Sequence, residues 1–275
     1  MCRTVSDYEV IIIGGGPAGV SAALTAKNRG KNVKIISNSP EQSNLWKSKL
    51  IENYPGCPNV SGEGILKIFR EQIDGAGIDI IGVRALNALP MGNSFSVSCG
   101  KDYFDCKALI LTMGITQQTT YPGEENFLGR GVSYCATCDG MLYRGKKVAV
   151  IGLNEEAGSE AEFLRSIGCE VEFFDKSRAK KYEIRGDESV TAIVADGTEY
   201  FVDGVFILRS TIAPGSFLPG LALENAHVAV DSAMKTSING VFAAGDCTGR
   251  PYQIARAVGQ GNTAALSACE YLDKI

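Results

Sequence analysis

The sequence predicts an α/β protein of two domains, each built on a Rossmann-like dinucleotide-binding module, the second of them reduced. Two observations carry that expectation. A strand–glycine turn–helix–strand unit opens the chain, and the same unit recurs about halfway along it. The length of 275 residues is long for one domain and short for three.

In the first unit, Tyr8–Ile13 is an apolar, β-branched run that ends in glycines. Ala18–Arg29 reads as a helix stopped by Gly30, and Val33–Ile36 as a second buried strand. In the second unit, Lys147–Ile151 is a strand, Gly152 opens a turn, Glu155–Ser166 is helical, Gly168 stops it, and Val171–Phe174 is a strand. Gly14 and Gly152 are equivalent points of the repeat. Between the units, Phe95–Ser98 and Ala108–Thr112 flank a turn at Gly100-Lys101-Asp102. Near the end, the strand Gly240–Ala244 runs into Gly245-Asp246, and Ala255–Tyr271 follows as a long helix.

Composition narrows the function. Lysine and arginine number 27 against 31 acidic residues, a net charge of −4, which argues against a nucleic-acid partner. Hydrophobic residues at 45% suffice for a full core, and 32 glycines against 9 prolines suit tight βα turns. No apolar run approaches the length of a membrane span, and Val10–Ile13 is too short for the core of a signal peptide. The expectation is a cytoplasmic protein with no membrane partner. Nine cysteines are then mostly reduced thiols, unless two form a redox pair. His227, the one histidine, speaks against histidine-rich metal sites and histidine-based triads, so no metal site is expected.

The first turn, Gly14-Gly15-Gly16-Pro17-Ala18-Gly19, fits G-x-G-x-x-G between a strand and a helix. Gly14 permits the sharp turn, Gly16 lets the backbone approach a pyrophosphate, and Gly19 lets helix and strand pack closely. The helix N-terminus at Pro17 and Ala18 faces the phosphates. The next strand ends at Ser37-Asn38 without the usual ribose-binding acid, so the turn alone leaves the dinucleotide open.

The stretch from Thr236 to Asp246, ending Val241-Phe242-Ala243-Ala244-Gly245-Asp246, is more specific. It resembles the C-terminal flavin-binding motif of two-dinucleotide-fold flavoproteins. Cys135-Ala136-Thr137-Cys138-Asp139-Gly140 adds a C-x-x-C pair, a spacing that can close a small disulfide ring. No second C-x-x-C exists to complete a zinc site. With these motifs the chain resembles the low-molecular-weight thioredoxin reductases over nearly its whole length. Glu52-Asn53-Tyr54-Pro55-Gly56, Thr112-Met113-Gly114 and Gln253 match the same family.

The resemblance implies roles. Cys138 lies against the flavin, Cys135 exchanges with the partner disulfide, and Asp139 moves the proton. FAD is bound non-covalently through Gly14, Gly16, Pro17, Ala18, Gly19, Ser37, Asn44, Asn53, Thr112, Gly114, Gly245, Asp246, Gln253 and Ile254. A thioredoxin-like protein is the substrate and the chain is a homodimer. Residues 1–115 and 221–275 form a discontinuous FAD-binding domain, and 116–220 a redox-disulfide domain with a degenerate NADPH-binding-like module.

That module departs from the family. Its turn is Gly152-Leu153-Asn154-Glu155-Glu156-Ala157, with Leu153 and Asn154 in place of two glycines. Asn154 carries a side chain where a backbone should approach the pyrophosphate. Glu155 and Glu156 add negative charge where phosphates would dock, at about 1 to 4 kcal/mol for like charges a few ångströms apart. The family's His-Arg-Arg reader becomes Asp175-Lys176-Ser177-Arg178, although Lys176, Arg178, Lys180 and Lys181 keep local positive charge. From Phe174 the chain reaches the Val205–Leu208 strand in about 30 residues, too few for another helix–strand pair. These features argue against NADPH. They resemble the ferredoxin-dependent flavin thioredoxin reductases, which implies reduced ferredoxin as donor and a basic docking patch drawn from Lys47, Lys49, Arg250 and Arg256. An NADPH-dependent reductase with an atypical turn, or a flavin redox sensor without turnover, are the alternatives. Cys2, Cys57, Cys99, Cys106, Cys169, Cys247 and Cys269 read as small hydrophobes or incidental thiols.

Overall fold

A computed structural model describes residues 4–114, 120–154, 156–175, 177–209 and 213–275, with side chains from Tyr8 onward. Glu155, Lys176 and Cys2 lie outside the described residues. The chain forms two compact units, one of residues 1–116 and 213–275, the other of residues 117–212. Each carries a parallel sheet with a crossover helix, the α/β architecture expected from the repeat.

The first unit begins with β1 (Thr4–Ile13), α1 (Pro17–Asn28), β2 (Val33–Ile36), α2 (Gly62–Gly75) and β3 (Asp79–Ile81), then β4 (Asn87–Pro90), β5 (Phe95–Cys99) and β6 (Asp102–Leu111). The second unit holds β7 (Val132–Ser133), α3 (Ala136–Asp139), β8 (Lys147–Gly152), α4 (Ala157–Ser166) and β9 (Glu170–Phe174). It continues with β10 (Tyr182–Gly186), β11 (Val190–Ala195), β12 (Thr198–Phe201) and β13 (Gly204–Leu208). The chain then returns to the first unit with α5 (Pro214–Phe217), β14 (Leu223–Glu224), β15 (His227–Val228), β16 (Val241–Ala243) and α6 (Ile254–Leu272).

In the first unit, β3-β2-β1-β6 are parallel neighbours, with Ile12 opposite Ile35 on one side and Ile110 on the other. β5 pairs antiparallel with the start of β6, and β16 pairs parallel with its end. Val10, Ile11 and Ile12 are all fully buried, so β1 is apolar without alternation, as a strand covered on both faces must be. α1 and α6 meet at backbone distance: a Cβ on Gly261 would lie 2.1 Å from the Ala18 carbonyl oxygen. The run of alanines along both helices follows from that approach. Trp46 packs, half-buried, against this core.

In the second unit the parallel order is β7-β13-β8-β9. Leaving β8, α4 leads to β9 on one side, and the chain later returns to β13 on the other. The 29 residues between β9 and β13 hold an antiparallel meander, β10-β11-β12, rather than a helix–strand pair. Its second turn is Asp196-Gly197 with φ of 46° and 89°, the two-residue turn that suits twisted hairpins. Among the described residues no helix is long and apolar enough to cross a membrane.

Candidate active site

The first glycine turn sits at the carboxyl ends of β1 and β6, where the strand order reverses and α/β sheets take ligands. Gly14 has φ 111°, and a Cβ there would meet the Thr112 carbonyl oxygen at 2.3 Å. The Thr112 hydroxyl lies 2.9 Å from the carbonyl oxygens of both Ile13 and Gly14, and so ties β6 to the turn from beneath. A Cβ on Gly19 would lie 1.9 Å from the Gly14 oxygen, so the helix can approach only as glycine. The Gly15 N–H donates to the Ser37 hydroxyl at 2.9 Å, so Ser37 holds the turn. Gly16, the N-cap of α1, differs: a Cβ there would meet nothing within 4 Å, so its face is open. Pro17 occupies the first helical position, where its missing N–H costs nothing.

The other residues expected to contact the flavin come from several segments of the first unit. Gly245 has φ 82°, and its N–H donates to Gln260 Oε1 at 3.0 Å. The Asp246 carboxylate is half-buried and has no hydrogen-bond donor on it among the described residues. Burial pushes its pKa up and Arg256 opposes the rise only in part. Gly114 has φ 69° just beyond β6. The Asn53 side-chain amide donates to Gln253 Oε1 at 3.0 Å, joining segments 200 residues apart at the start of α6. Ile254 is half-buried against the core, and Asn44 is exposed. An open glycine face under a helix N-terminus, with an orphaned half-buried carboxylate in the same unit, fits a dinucleotide cofactor.

Cys135 and Cys138 form a disulfide, with Cα atoms 5.4 Å apart. Cys135 is buried at 6% exposure and Cys138 is exposed. Cys135 caps the short helix α3, its sulfur accepting the Cys138 N–H at 3.1 Å. Ser133 organises the turn. Its hydroxyl donates to Asp139 Oδ2 at 2.7 Å and accepts the Cys135 N–H at 3.1 Å. Glu160 from α4 accepts the Ala136 N–H at 3.2 Å.

The second unit's crevice, between the ends of β8 and β13, is bridged. The Leu153 N–H donates to the Leu208 carbonyl at 2.9 Å, and the Asn154 side-chain amide donates to the Arg209 carbonyl at 3.1 Å. Arg209 turns inward onto Glu124, with N–O distances of 2.6 and 2.8 Å. Sequence reasoning passed over this pair: Arg209 follows a strand with no polar residue, and its partner stands 85 positions away. Further along, Arg178 donates to the Phe173 carbonyl at 2.6 Å, pairs with Glu172, and lies 4.6 Å from the Phe174 ring. Asp175 accepts hydrogen bonds from the Ser177 hydroxyl and from the Ser177 and Arg178 N–H groups, which hold its pKa down. Glu156 is the N-cap of α4, its carbonyl accepting from Glu160 N–H at 3.0 Å.

Of the expected docking residues, Lys47, Lys49 and Arg250 are exposed. Arg256 is half-buried and spent on the Gly249 carbonyl at 2.6 Å and the Thr248 hydroxyl at 3.1 Å. Cys106, Cys169, Cys247 and Cys269 are buried, and burial pushes the Cys106 thiol to about 12 and Cys247 to about 11.

The profile of the pyridine nucleotide-disulphide oxidoreductases matches residues 8–179 and 171–261. The chain belongs to that family. Within it the chain is of the low-molecular-weight thioredoxin reductase type. It is 34% identical to the thioredoxin reductase of Aquifex aeolicus over 96% of this chain and 93% of that protein. With the thioredoxin reductase of Escherichia coli O157:H7 it shares 32% identity over 98% of both. It superposes on the crystal structure of a ferredoxin-flavin thioredoxin reductase from Clostridium acetobutylicum with a TM-score of 0.89. That pair is 39% identical over 98% of this chain and 99% of the other. Family membership implies FAD, and the geometry of the first glycine turn accommodates it.

Proposed function

We propose that this chain reduces the disulfide of a thioredoxin-like protein through Cys135 and Cys138, with FAD in the first unit and reduced ferredoxin, not a pyridine nucleotide, as electron donor. The observation that carries the choice of donor is the bridge from Asn154 to Arg209 across the crevice where a module of this topology takes its nucleotide. Arg178 and Asp175, which stand where a ribose or its phosphate would be read, are engaged with their own neighbours. The likeness to a ferredoxin-flavin thioredoxin reductase supports the same reading. So do the exposed Lys47, Lys49 and Arg250, since an acidic electron carrier is steered by basic groups. The reading takes residues 1–115 and 221–275 as the FAD-binding domain and 116–220 as the disulfide domain, in a cytoplasmic homodimer.

In this reading Gly14, Gly16, Pro17, Ala18 and Gly19 hold the pyrophosphate. Asp246, Gly245, Ser37, Asn44, Asn53, Thr112, Gly114, Gln253 and Ile254 line the rest of the site. When bound, FAD supplies a carrier that accepts electrons singly from a one-electron donor and delivers them in pairs. The protein's own residues do the remaining chemistry. Two electrons and two protons convert the Cys135–Cys138 disulfide into two thiols. Asp139, steadied by Ser133, moves the proton. The Cys138 N–H stabilises the Cys135 thiolate. That thiolate attacks one sulfur of the partner disulfide and expels the other as a thiolate. Cys138 then attacks the Cys135 sulfur of the mixed disulfide, which restores the internal disulfide and frees the reduced partner. Cys135 is buried, so the turn must open for its sulfur to meet a protein disulfide.

Anaerobic titration of the FAD-loaded protein, followed by flavin absorbance, tests the donor. The expected result is no bleaching by NADPH or NADH and stoichiometric bleaching by reduced ferredoxin. Prompt bleaching by NADPH would mean that the altered turn still binds nucleotide, and the ordinary reductase reading would stand.

A further inference from the structure

Tyr134 stands directly before Cys135, and its side chain leads into a buried polar cluster of the second unit. Its hydroxyl donates to Glu124 Oε1 at 2.9 Å. Glu124 is 2% exposed, Arg209 is 8% exposed, and the guanidinium grips the carboxylate with both arms. The Tyr121 N–H donates to Glu124 Oε2 at 2.9 Å. The guanidinium carbon also lies 5.2 Å from the Tyr121 ring centre and 5.9 Å from that of Tyr134. The Arg209 carbonyl in turn holds Asn154. A continuous chain of contacts therefore runs from the bridged crevice to the residue that precedes the buried cysteine.

We propose that Arg209, Glu124 and Tyr134 form an internal strut that holds Cys135 in disulfide-forming geometry, with Tyr134 as a positioning residue for the redox pair. This rests on the reading that Cys135–Cys138 is the redox centre. A buried, doubly hydrogen-bonded ion pair is stiff, because moving either partner leaves a charge unpaired in the interior. Tyr134 is attached to that stiff body by its hydroxyl and to Cys135 by one peptide bond.

The sign of the effect follows from entropy. In the oxidised state the S–S bond already restrains the four-residue turn. In the dithiol state only non-covalent anchors do. An anchor that restrains the dithiol lowers the entropy cost of closing the ring and so favours the disulfide. Releasing it favours the dithiol.

The test equilibrates the full-length protein with mixtures of reduced and oxidised glutathione and counts free thiols. Two glutathione thiols give up two electrons and two protons as they open the Cys135–Cys138 disulfide, and leave as glutathione disulfide. Tyr134→Phe removes only the hydroxyl and is expected to lower the disulfide-forming equilibrium constant about three- to tenfold, a shift of about 15 to 30 mV toward easier reduction. Arg209→Lys, which cannot make the two-armed contact, is expected to shift it the same way. Tyr182→Phe is the control. It deletes a buried hydroxyl bond of 3.2 Å to the Ala179 carbonyl in the same core, keeps the ring that packs edge-on against Tyr121, and is expected to leave the constant unchanged. A wild-type constant for Tyr134→Phe, or an equal shift for Tyr182→Phe, overturns the strut. A wild-type protein whose Cys135–Cys138 pair does not titrate at all overturns the redox-centre reading instead, so the two failures are distinct.

Discussion

Gly16→Ala and Gly19→Ala place the same methyl group three residues apart on one turn, and the structure gives them opposite consequences. Gly16 has φ −79° and ψ −173°, a conformation alanine adopts freely, and a Cβ there meets no atom within 4 Å. Replacing an N-cap glycine by alanine costs about 0.5 to 1 kcal/mol of helix capping. The lower entropy of the unfolded alanine chain returns about 0.4 to 1 kcal/mol. The stability of the protein without cofactor is therefore expected to change by less than about 0.5 kcal/mol. The methyl instead occupies the face that a pyrophosphate must approach. Losing one hydrogen bond to a charged group costs about 1.5 to 3 kcal/mol, which weakens FAD about ten- to a hundredfold.

Gly19→Ala does the reverse. Its Cβ would lie 1.9 Å from the Gly14 carbonyl oxygen and 2.8 Å from the Thr112 hydroxyl, and a backbone carbonyl cannot rotate away as a side chain can. Overpacking of this kind costs about 1 to 3 kcal/mol, and the backbone contact puts this site at the upper end. Denaturant unfolding of the FAD-free proteins, with FAD titrations followed by flavin fluorescence, separates the two. Gly16→Ala binding FAD as tightly as the unsubstituted protein would refute the assignment of the cradle. Gly19→Ala unfolding at the unsubstituted midpoint would refute the packing argument.

Cys138→Ser should keep FAD and lose reduction of the partner disulfide; turnover at the unsubstituted rate would sink the mechanism. Asp139→Asn can still accept from Ser133 but cannot carry a proton. It should slow steady-state turnover about a hundredfold, within the 10²–10⁴ range of general acid–base catalysis, and an unchanged rate would remove Asp139 from the proton path. Glu124→Ala strands the Arg209 charge in the interior and should cost about 3 to 5 kcal/mol, read as a lower denaturant midpoint for the second unit. Asp246 has a folded pKa raised above its unfolded value of 3.8, so the folded protein takes up its proton first as pH falls. Stability of the FAD-free protein from this group should rise as pH drops through the raised value and level off below 3.8, and Asp246→Asn should abolish that rise while weakening FAD. Thermal melts across this range are the measurement, and the same pH slope in the Asn variant would contradict the assignment.

What was legible in the sequence is what local rules control. The two crossover units announce themselves because a glycine turn must separate a buried strand from the helix it feeds, and the observed strands fall within a few residues of those expected. The β6 strand is longer than its apolar half: Asp102–Cys106 alternate, and that stretch pairs with β5, which in turn pairs with the edge strand β4. The helix α2 was missed although its signal was present. Ser61 caps it by accepting the Gly64 N–H at 3.0 Å, and Ile65, Leu66, Phe69 and Ile73 mark one buried face. The hairpin of β14 and β15 had no such signal, since its turn residues Asn225 and Ala226 take φ of 49° and 63° without a glycine. Among the site residues, the C-x-x-C turn and the glycines were readable because their chemistry is local. The network around Glu124 was not, because a long-range buried ion pair leaves no period and no spacing.

The two units also show how one topology gives an open and a closed crevice. In both, the first strand of the crossover lies between the strand that follows its helix and the strand to which the chain returns. In the first unit, the residue after the returning strand is Thr112, a short side chain that ties down the carbonyls beneath the turn and leaves Gly16 bare above. In the second, the corresponding place after β13 belongs to Arg209. Its carbonyl takes the Asn154 amide across the gap, and its side chain plunges to Glu124. An arginine buried there must bring its own carboxylate, and the pair fills with side chains a place that the first unit leaves to Thr112. On the proposed reading, restoring a glycine at position 154 alone removes the amide bridge to the Arg209 carbonyl but not the Arg209–Glu124 pair. An Asn154→Gly protein is expected to remain unbleached by NADPH in the same anaerobic titration, and bleaching of that single variant would show that the turn, not the ion pair beneath it, keeps the nucleotide out.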